Sequence, residues 1–347
     1  MTAGLLAGQH RRVRLNRLGI GGCVAAAYAV MAAVFALTPW QGTADYVVAG
    51  ALAAVTLIVA VSWSTEGPRR ARDRLAAGLV SLCLLLMLLP LVFVIGYTVE
   101  RGLKRFSGAF LTHSMAQVGP LDPGGGVAHA IVGTLEQVGL ATAITMPLGL
   151  LVAIYVTEYG RGPLAFGVRF IVDVMTGIPS IVAGLFVLAF WVIALHQNFS
   201  GFAGALALAI IELPIVVRSA EEMILLVPRA LREASYALGV AKWRTILRIV
   251  LPTAATGIVT GMMLAIARVA GETAPLLLVV GNNVYLNPDP FHGQQASLPT
   301  FIFQGAGSAE QFNVDRAWAA SLTLIALVVI MYVGARLLTR RNALARR

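Results

Sequence analysis

The sequence predicts an all-α integral membrane protein, and three observations carry that reading. Of 347 residues, 58% are hydrophobic and only 12% are charged, against about 45–50% and about 25% in soluble globular domains. So few charges cannot cover a water-exposed surface. The apolar residues gather into eight stretches, most of them near the ~20 residues that cross a bilayer as a helix. Basic residues crowd alternate connections between these stretches, as expected of an oriented multi-span chain.

In order, the predicted spans are residues 18–38, 46–63, 75–98, 130–157, 168–195, 202–217, 252–281 and 317–338. The first follows Arg11, Arg12, Arg14 and Arg17, so it reads as a signal peptide or an uncleaved span. Its apolar run exceeds the ~7–15 residues of a signal core, and no small-residue cleavage site follows it; an uncleaved span is expected. The second and sixth are short. The fourth to seventh each hold a proline, Pro147, Pro179, Pro214 and Pro275 in turn. Each removes a helix hydrogen bond and kinks or interrupts its helix. Interrupted helices aim their dipoles at anions in some transporters, although kinks for packing are commoner. Gly257 and Gly261 form a Gly-x-x-x-Gly pair in the seventh span, a mark of close helix contact.

With the N-terminus placed inside, the cytoplasmic segments hold 21 basic residues and the outer segments four, Arg101, Lys104, Arg105 and Arg316. Arg268 is left within a span. The net charge of +10 is thereby accounted for as an orientation signal, and nucleic acid is not needed to explain it. Two irregular outer loops are expected at residues 99–129 and 282–315, each containing prolines and glycines. The run Gly124-Gly125-Gly126 is not a phosphate loop, because no Gly-Lys-Ser/Thr follows. Cys23 and Cys83 sit in apolar runs and read as packing residues. The five histidines show no pair at metal-ligand spacing, and there is no nucleophile elbow. No metal site and no catalytic constellation are predicted; the chain by itself is not expected to be an enzyme.

One cytoplasmic connection, residues 218–251, is long, charged and apolar at helical spacing, with the helix starter Pro228 and the breaker Gly239. Short amphipathic helices are expected there, lying on lipid or docking another protein. Within it, Glu233-Ala234-Ser235, Gly239, Ile249, Leu251 and Pro252 resemble the EAA loop of ABC importer permeases. Every spacing fits, and the one departure is Ser235 for an alanine. In that family the loop seats in a groove of the ATP-binding subunit and carries its closure to the membrane helices. The local reading agrees: a short helix ends at a glycine turn, exposes small residues to an approaching surface, and leads to a new span at Pro252.

Further segments narrow the resemblance to the phosphate permease subunits of the PstA family. They are Gly124–Ala130, Thr157–Arg161, Pro179–Phe186, Leu213–Arg218, Leu231–Gly239 and, most telling, Ala267-Arg268-Val269-Ala270-Gly271-Glu272-Thr273-Ala274-Pro275. The likeness runs from about Leu75 to the C-terminus and implies a type I ABC importer permease fold of six core spans. Residues 18–74 would then be an extra two-span hairpin with a basic linker, 75–338 the permease domain, and 1–17 and 339–347 basic cytoplasmic tails.

Arg268 and Glu272 lie in the seventh predicted span, where an ionisable group costs about 2.5–3.5 kcal/mol or more. Four residues apart on one helix, they could pair as a structural ion pair. The other reading is an anion gate, since arginine's fork of donors matches an oxyanion, and the resemblance favours transport. Arg218, after the sixth span, reads as an orientation anchor or a pathway residue; Asp173 is a weaker candidate. By resemblance, the partners would be a second permease (PstC-like), an ATPase dimer (PstB-like) holding ATP and Mg, and an external phosphate-binding protein (PstS-like). No cofactor is expected in this chain itself. The alternatives are a permease for another solute and a phosphate-status sensor or scaffold for a signalling kinase.

Overall fold

A computed structural model describes residues 15–38, 42–119 and 121–344. The tail arginines Arg11, Arg12, Arg14, Arg346 and Arg347 lie outside them. Among the described residues the chain is helical with no strand, apart from an isolated bridge between Gly281 and Gln295. It divides into two compact units, Met1–Tyr97 and Thr98–Arg347.

The first unit contains α1 (Arg17–Leu37), α2 (Thr43–Thr65) and most of α3 (Pro68–Leu103). Asn16 caps α1 through its side chain, accepting from the Gly19 N–H at 2.8 Å. α1 and α2 lock through two tyrosines: the Tyr28 and Tyr46 rings meet edge to face, and each hydroxyl donates to a carbonyl of the other helix. Gly50 lets α2 close on the Tyr28 ring. α2 turns into α3 at Glu66-Gly67, where Gly67 has φ +96°, a conformation that suits glycine alone. The buried Glu66 carboxylate accepts from Ser62 Oγ at 2.7 Å and from the Leu15 N–H at 2.9 Å. The Ser62 hydrogen bond holds its carboxyl below the ordinary value.

In the second unit, α4 (Gly108–Thr112) and a Gly-rich loop precede α5 (Ala128–Tyr159), whose last turn, Tyr155–Tyr159, is π-helical. There follow α6 (Pro163–Thr176), α7 (Ser180–Ala194), α8 (Gly201–Leu225), α9 (Arg229–Ala237), α10 (Lys242–Val269), α11 (Ala274–Val279), α12 (Leu298–Ala306) and α13 (Gln311–Leu344). α8 is the most deeply buried helix, because Ala203, Gly204, Ala205, Ala207 and Ala209 let its neighbours close in. Small residues serve this purpose in membranes, where no hydrophobic force draws helices together. α5 packs along α8 and contributes to all three buried clusters: Val138 and Ala141 with α8 and α11, Ala130 with α12 and α13, and Ala153 with α8 and α10. The Gly-x-x-x-Gly pair of α10 is a close crossing, with Gly257 against Met223 and Gly261 against Ser219. Near the N-terminal end of α13 the buried Arg316 donates to the carbonyls of Asp122 and Gly124 and, at 2.6 Å, to Asn313 Oδ1. It fastens the Gly124–Gly126 loop to the bundle.

Among the described residues, seven helices are long and apolar enough to cross a membrane, and the α6–α7 pair makes an eighth candidate. Three predicted spans differ from the structure. Residues 168–195 are not one helix: α6 and α7 meet at 106° across Gly177-Ile178-Pro179. Proline lacks an N–H and turns its predecessor away from helical geometry. Residues 252–281 break at Ala270–Thr273, with Gly271 inside the break and Pro275 in the first turn after it, into α10 and α11. The sixth span continues past residue 217 to Leu225, and α10 starts at Lys242. The expected loop of residues 218–251 therefore reduces to α9 and two turns. Pro147 and Pro214, by contrast, are accommodated inside α5 and α8.

The helices that follow the two breaks pack on each other. A β-carbon on Gly184 of α7 would stand 2.7 Å from Pro275 Cα and 2.8 Å from its carbonyl oxygen. Gly184→Leu should therefore destabilise the purified chain by about 1–3 kcal/mol, read as a lower melting temperature. Gly139→Ala, with open space around it, should leave the melting temperature unchanged or raised.

Candidate functional site

The segment resembling the coupling loop folds as a helix–turn–helix. Pro228 precedes α9, and α9 ends where Gly239 adopts φ +75°, which a residue with a β-carbon enters only with strain. Glu233, Ala234, Ala237 and Leu238 are exposed, Leu238 at 83%. Ser235 is not part of this free surface, contrary to expectation. It is buried, and its hydroxyl meets Thr245 Oγ1 at 2.8 Å, tying α9 to α10. A small residue is needed there because α10 lies on it. Ile249 and Leu251 are half-buried, Leu251 against the cluster formed by Ala220, Ile224 and Val250, while Pro252 is exposed.

Arg232, which sequence reasoning left unassigned, fastens α9 to two further membrane helices. Its guanidinium pairs with Glu158 at 2.8 Å and donates to the carbonyls of Val227 at 2.6 Å and Ile224 at 2.9 Å. Three helices thus meet on one side chain: α9, the C-terminal end of α8, and the π-helical turn of α5. Lys242 adds a bond to the Glu158 carbonyl and lies over the Tyr159 ring. Partial burial, with the Glu158 carboxylate beside it, pushes the Tyr236 phenol above its ordinary value. One signal of this joint was present in the sequence. Glu158 is an acid at the basic end of a span, where an arginine or lysine partner is the natural neighbour.

A second charged cluster joins α6 to α8. Arg218 pairs with Asp173 of α6 and, at 2.9 Å, with Glu221 one turn along its own helix. Arg169 of α6 reaches Glu221 at 3.8 Å and donates to the Val156 carbonyl at 2.9 Å. Two of the predicted site residues, Arg218 and Asp173, are therefore brought together. Arg218 lies within α8 rather than after it.

Arg268 and Glu272 are not brought together. α10 ends at Val269, so the one-face argument does not apply, and no ion pair joins them among the described residues. Arg268 is exposed, and Glu272 is half-buried in the break. The backbone of the break is satisfied: the Gly271 and Glu272 N–H groups donate to the Arg268 and Val269 carbonyls at 3.3 and 3.0 Å. Sequence reading also passed over Glu212, which is fully buried in α8 and accepts from Thr142 Oγ1 of α5 at 3.1 Å.

The Arg232–Glu158 pair has side chains 15% and 7% exposed, so removing one partner strands a buried charge, a loss of about 3–5 kcal/mol. Arg232→Met should lower the melting temperature of the purified chain sharply. The double variant Arg232→Met with Glu158→Leu should recover much of that loss, a coupling that a double-mutant cycle reads directly.

Comparison with known proteins agrees with this architecture. The family described as "Binding-protein-dependent transport system inner membrane component" matches residues 145–343. "Phosphate transport system permease protein PstA 1" of Mycobacterium tuberculosis (strain ATCC 25618 / H37Rv) is 46% identical over 281 residues, covering 80% of this chain and 91% of that protein. The Yersinia pestis protein named PstA is 43% identical over 271 residues, covering 78% and 90%. Among solved structures, an inward-facing MetNI methionine ABC transporter chain superposes with a TM-score of 0.52 at 19% identity, covering 62% of this chain and 95% of that one. A bacterial ABC transporter involved in alginate import gives 0.53 at 17% identity, covering 79% and 99%. At such identities these two establish the fold alone, that of the ABC importer permeases. With its membrane helices, its α9 turn and these relatives, the chain belongs to the binding-protein-dependent transport system inner membrane components, within their PstA branch.

Proposed function

We propose that this chain is the membrane permease subunit of an ATP-driven importer of inorganic phosphate. The observation that carries the substrate is the 46% identity to a relative named for phosphate transport, over 91% of its length. Physical chemistry supports it at Arg268. This residue follows the apolar run Leu264-Ala265-Ile266-Ala267 and precedes Pro275-Leu276-Leu277-Leu278-Val279, yet its side chain is exposed on this chain and has no ion-pair partner among the described residues. A bare guanidinium facing hydrocarbon costs at least about 2.5–3.5 kcal/mol. It is relieved by facing a polar pathway shared with a second permease. There its planar donors suit a phosphate oxyanion, and Glu272 in the adjoining break keeps the site from holding the anion too tightly.

The assembly in this reading contains a PstC-like second permease, a PstB-like ATPase dimer with its ATP and Mg, and a PstS-like external binding protein. Both termini and α9 lie on the cytoplasmic side of the inner membrane, where most of the arginines are. ATP closes the ATPase dimer and carries the exposed Glu233–Ala234 face of α9 with it. Arg232 passes the displacement to α5 and α8 at once. The Arg218–Asp173 pair lies between α6 and α8 and acts as a gate that opens or reseals as those helices shift. The pathway then faces outward to take phosphate from the binding protein, and resets on hydrolysis. ATP hydrolysis belongs to the partner; this chain supplies the path and the coupling.

Two experiments test this. Proteoliposomes holding the chain with its partners should take up labelled phosphate on ATP addition and should not take up sulfate. Arg268→Gln should assemble normally and lose at least about tenfold in uptake, or about 1.4 kcal/mol at the barrier. Uptake of sulfate at the same rate would remove phosphate as the selective substrate, and full uptake by the variant would remove Arg268 from the pathway. Glu233→Lys should insert normally but fail to retain the ATPase on affinity capture. Undiminished capture would remove α9's exposed face as the docking surface.

A further inference from the structure

The first compact unit contains an apolar groove of about 430 Å³ between α1, α2 and α3, lined by Ile20, Val24, Val55, Ile58, Leu82 and Leu85 among others. Its one charged lining residue is Arg74, and Ser81 is exposed on its edge. From Arg74 to Leu85 along α3 the groove runs about 16 Å at 1.5 Å per residue. That is about half the ~30 Å hydrocarbon thickness of a bilayer, the depth of a single leaflet.

The arginine is held at one end of the groove. Arg74 Nη2 donates to the Leu15 carbonyl at 3.1 Å, and Nε lies 3.5 Å from Oε2 of the Glu66 carboxylate, which Arg70 also approaches at 3.9 Å; among the described residues no hydrogen bond engages Arg74 Nη1. Arg17, Arg69, Arg70 and Arg72 lie at the same end, beside the α2–α3 turn, against only Glu66 and Asp73 as acids. Arg69 and Arg72 are exposed. The geometry therefore combines an acyl-sized apolar channel one leaflet deep with a fixed guanidinium and a cationic rim at its polar end.

We infer that this groove binds an anionic phospholipid, with an acyl chain along α3 and the headgroup phosphate on Arg74. Arginine engages a phosphate through directed hydrogen bonds, and basic pockets between membrane helices take anionic headgroups in this way. A neutral helix from a partner would fill the apolar part but leave the rim uncompensated. A zwitterionic lipid compensates it less well than an anionic one.

Native mass spectrometry of the detergent-purified full chain tests this, by titrating phosphatidylglycerol and phosphatidylcholine of matched acyl chains. Phosphatidylglycerol should bind at least about tenfold tighter, and Arg74→Gln should remove that preference. Ser81→Phe fills the groove without touching an arginine. It should lower phosphatidylglycerol occupancy about tenfold while leaving the melting temperature unchanged, which separates lipid loss from misfolding. Equal binding of the two lipids, occupancy unaffected by Ser81→Phe, or displacement of the lipid by excess inorganic phosphate would overturn the inference. So would a photo-crosslinker at position 81 of the assembled importer capturing a protein helix instead of lipid.

Discussion

Hydrocarbon offers no hydrogen bonds, so a spanning chain can interrupt a helix only where protein or a polar cavity takes over the freed backbone groups. That constraint governs the second unit. Its helices break at Gly177–Pro179 and at Ala270–Thr273; at the first, the Gly177 and Ile178 N–H groups donate to the Val174 and Met175 carbonyls, and the second is packed into the protein. Val269, Ala270, Pro275 and Leu276 are buried, the N–H groups of Gly271 and Glu272 are bonded within the turn, and α7 and α11 pack together through Gly184 and Pro275. The alanine-rich face of α8 holds both α7 and α11 in place. Stability here comes from close backbone approach, and a single side chain at the wrong glycine would undo it.

The charges obey the same economy of placement in two opposite ways. Arg232 and Arg218 are paired within the chain, Arg232 with Glu158 and two carbonyls and Arg218 with Asp173 and Glu221, so each links helices of the bundle. Arg268 is offered outward. In a bilayer, a paired arginine is compensated within the chain, whereas an unpaired one requires something polar beyond the chain's own surface.

Much of this was legible in the sequence, and the failures have physical causes. Apolar length and arginine placement marked the spans, and the spacing from Glu233 to Gly239 marked a helix ending in a glycine turn, which the structure places at φ +75°. The prolines could not be ranked by type. Pro147 and Pro214 sit inside continuous helices, while Pro179 and Pro275 begin new ones. The difference lies in Gly177 and Gly271 just upstream and in the packing partners, which local pattern does not reveal. The four-residue spacing of Arg268 and Glu272 presupposed a helix that ends between them. Nothing local shows that Ser235 faces inward, because only α10, folded over it, decides which way it faces. The Arg232–Glu158 pair spans 74 positions, beyond the reach of any local pattern.

The π-helical turns bear on how motion at α9 could be transmitted. They occur at Tyr155–Tyr159, Leu188–Ala194 and Ile246–Val250. A π-turn accommodates a surplus residue, so the helix beyond it is out of phase by about 100° from an unbroken α-helix. Glu158 stands within one such turn and faces Arg232 in that shifted phase; the turn at Ile246–Val250 separates α9 and its bonded Thr245 from the close crossing of α10 on α8. Migration of the surplus residue by one position would rotate a helix end relative to its body while exchanging few backbone hydrogen bonds. In the coupling proposed for α9, its connection to the membrane helices would thus contain swivels as well as struts, passing torque as well as displacement.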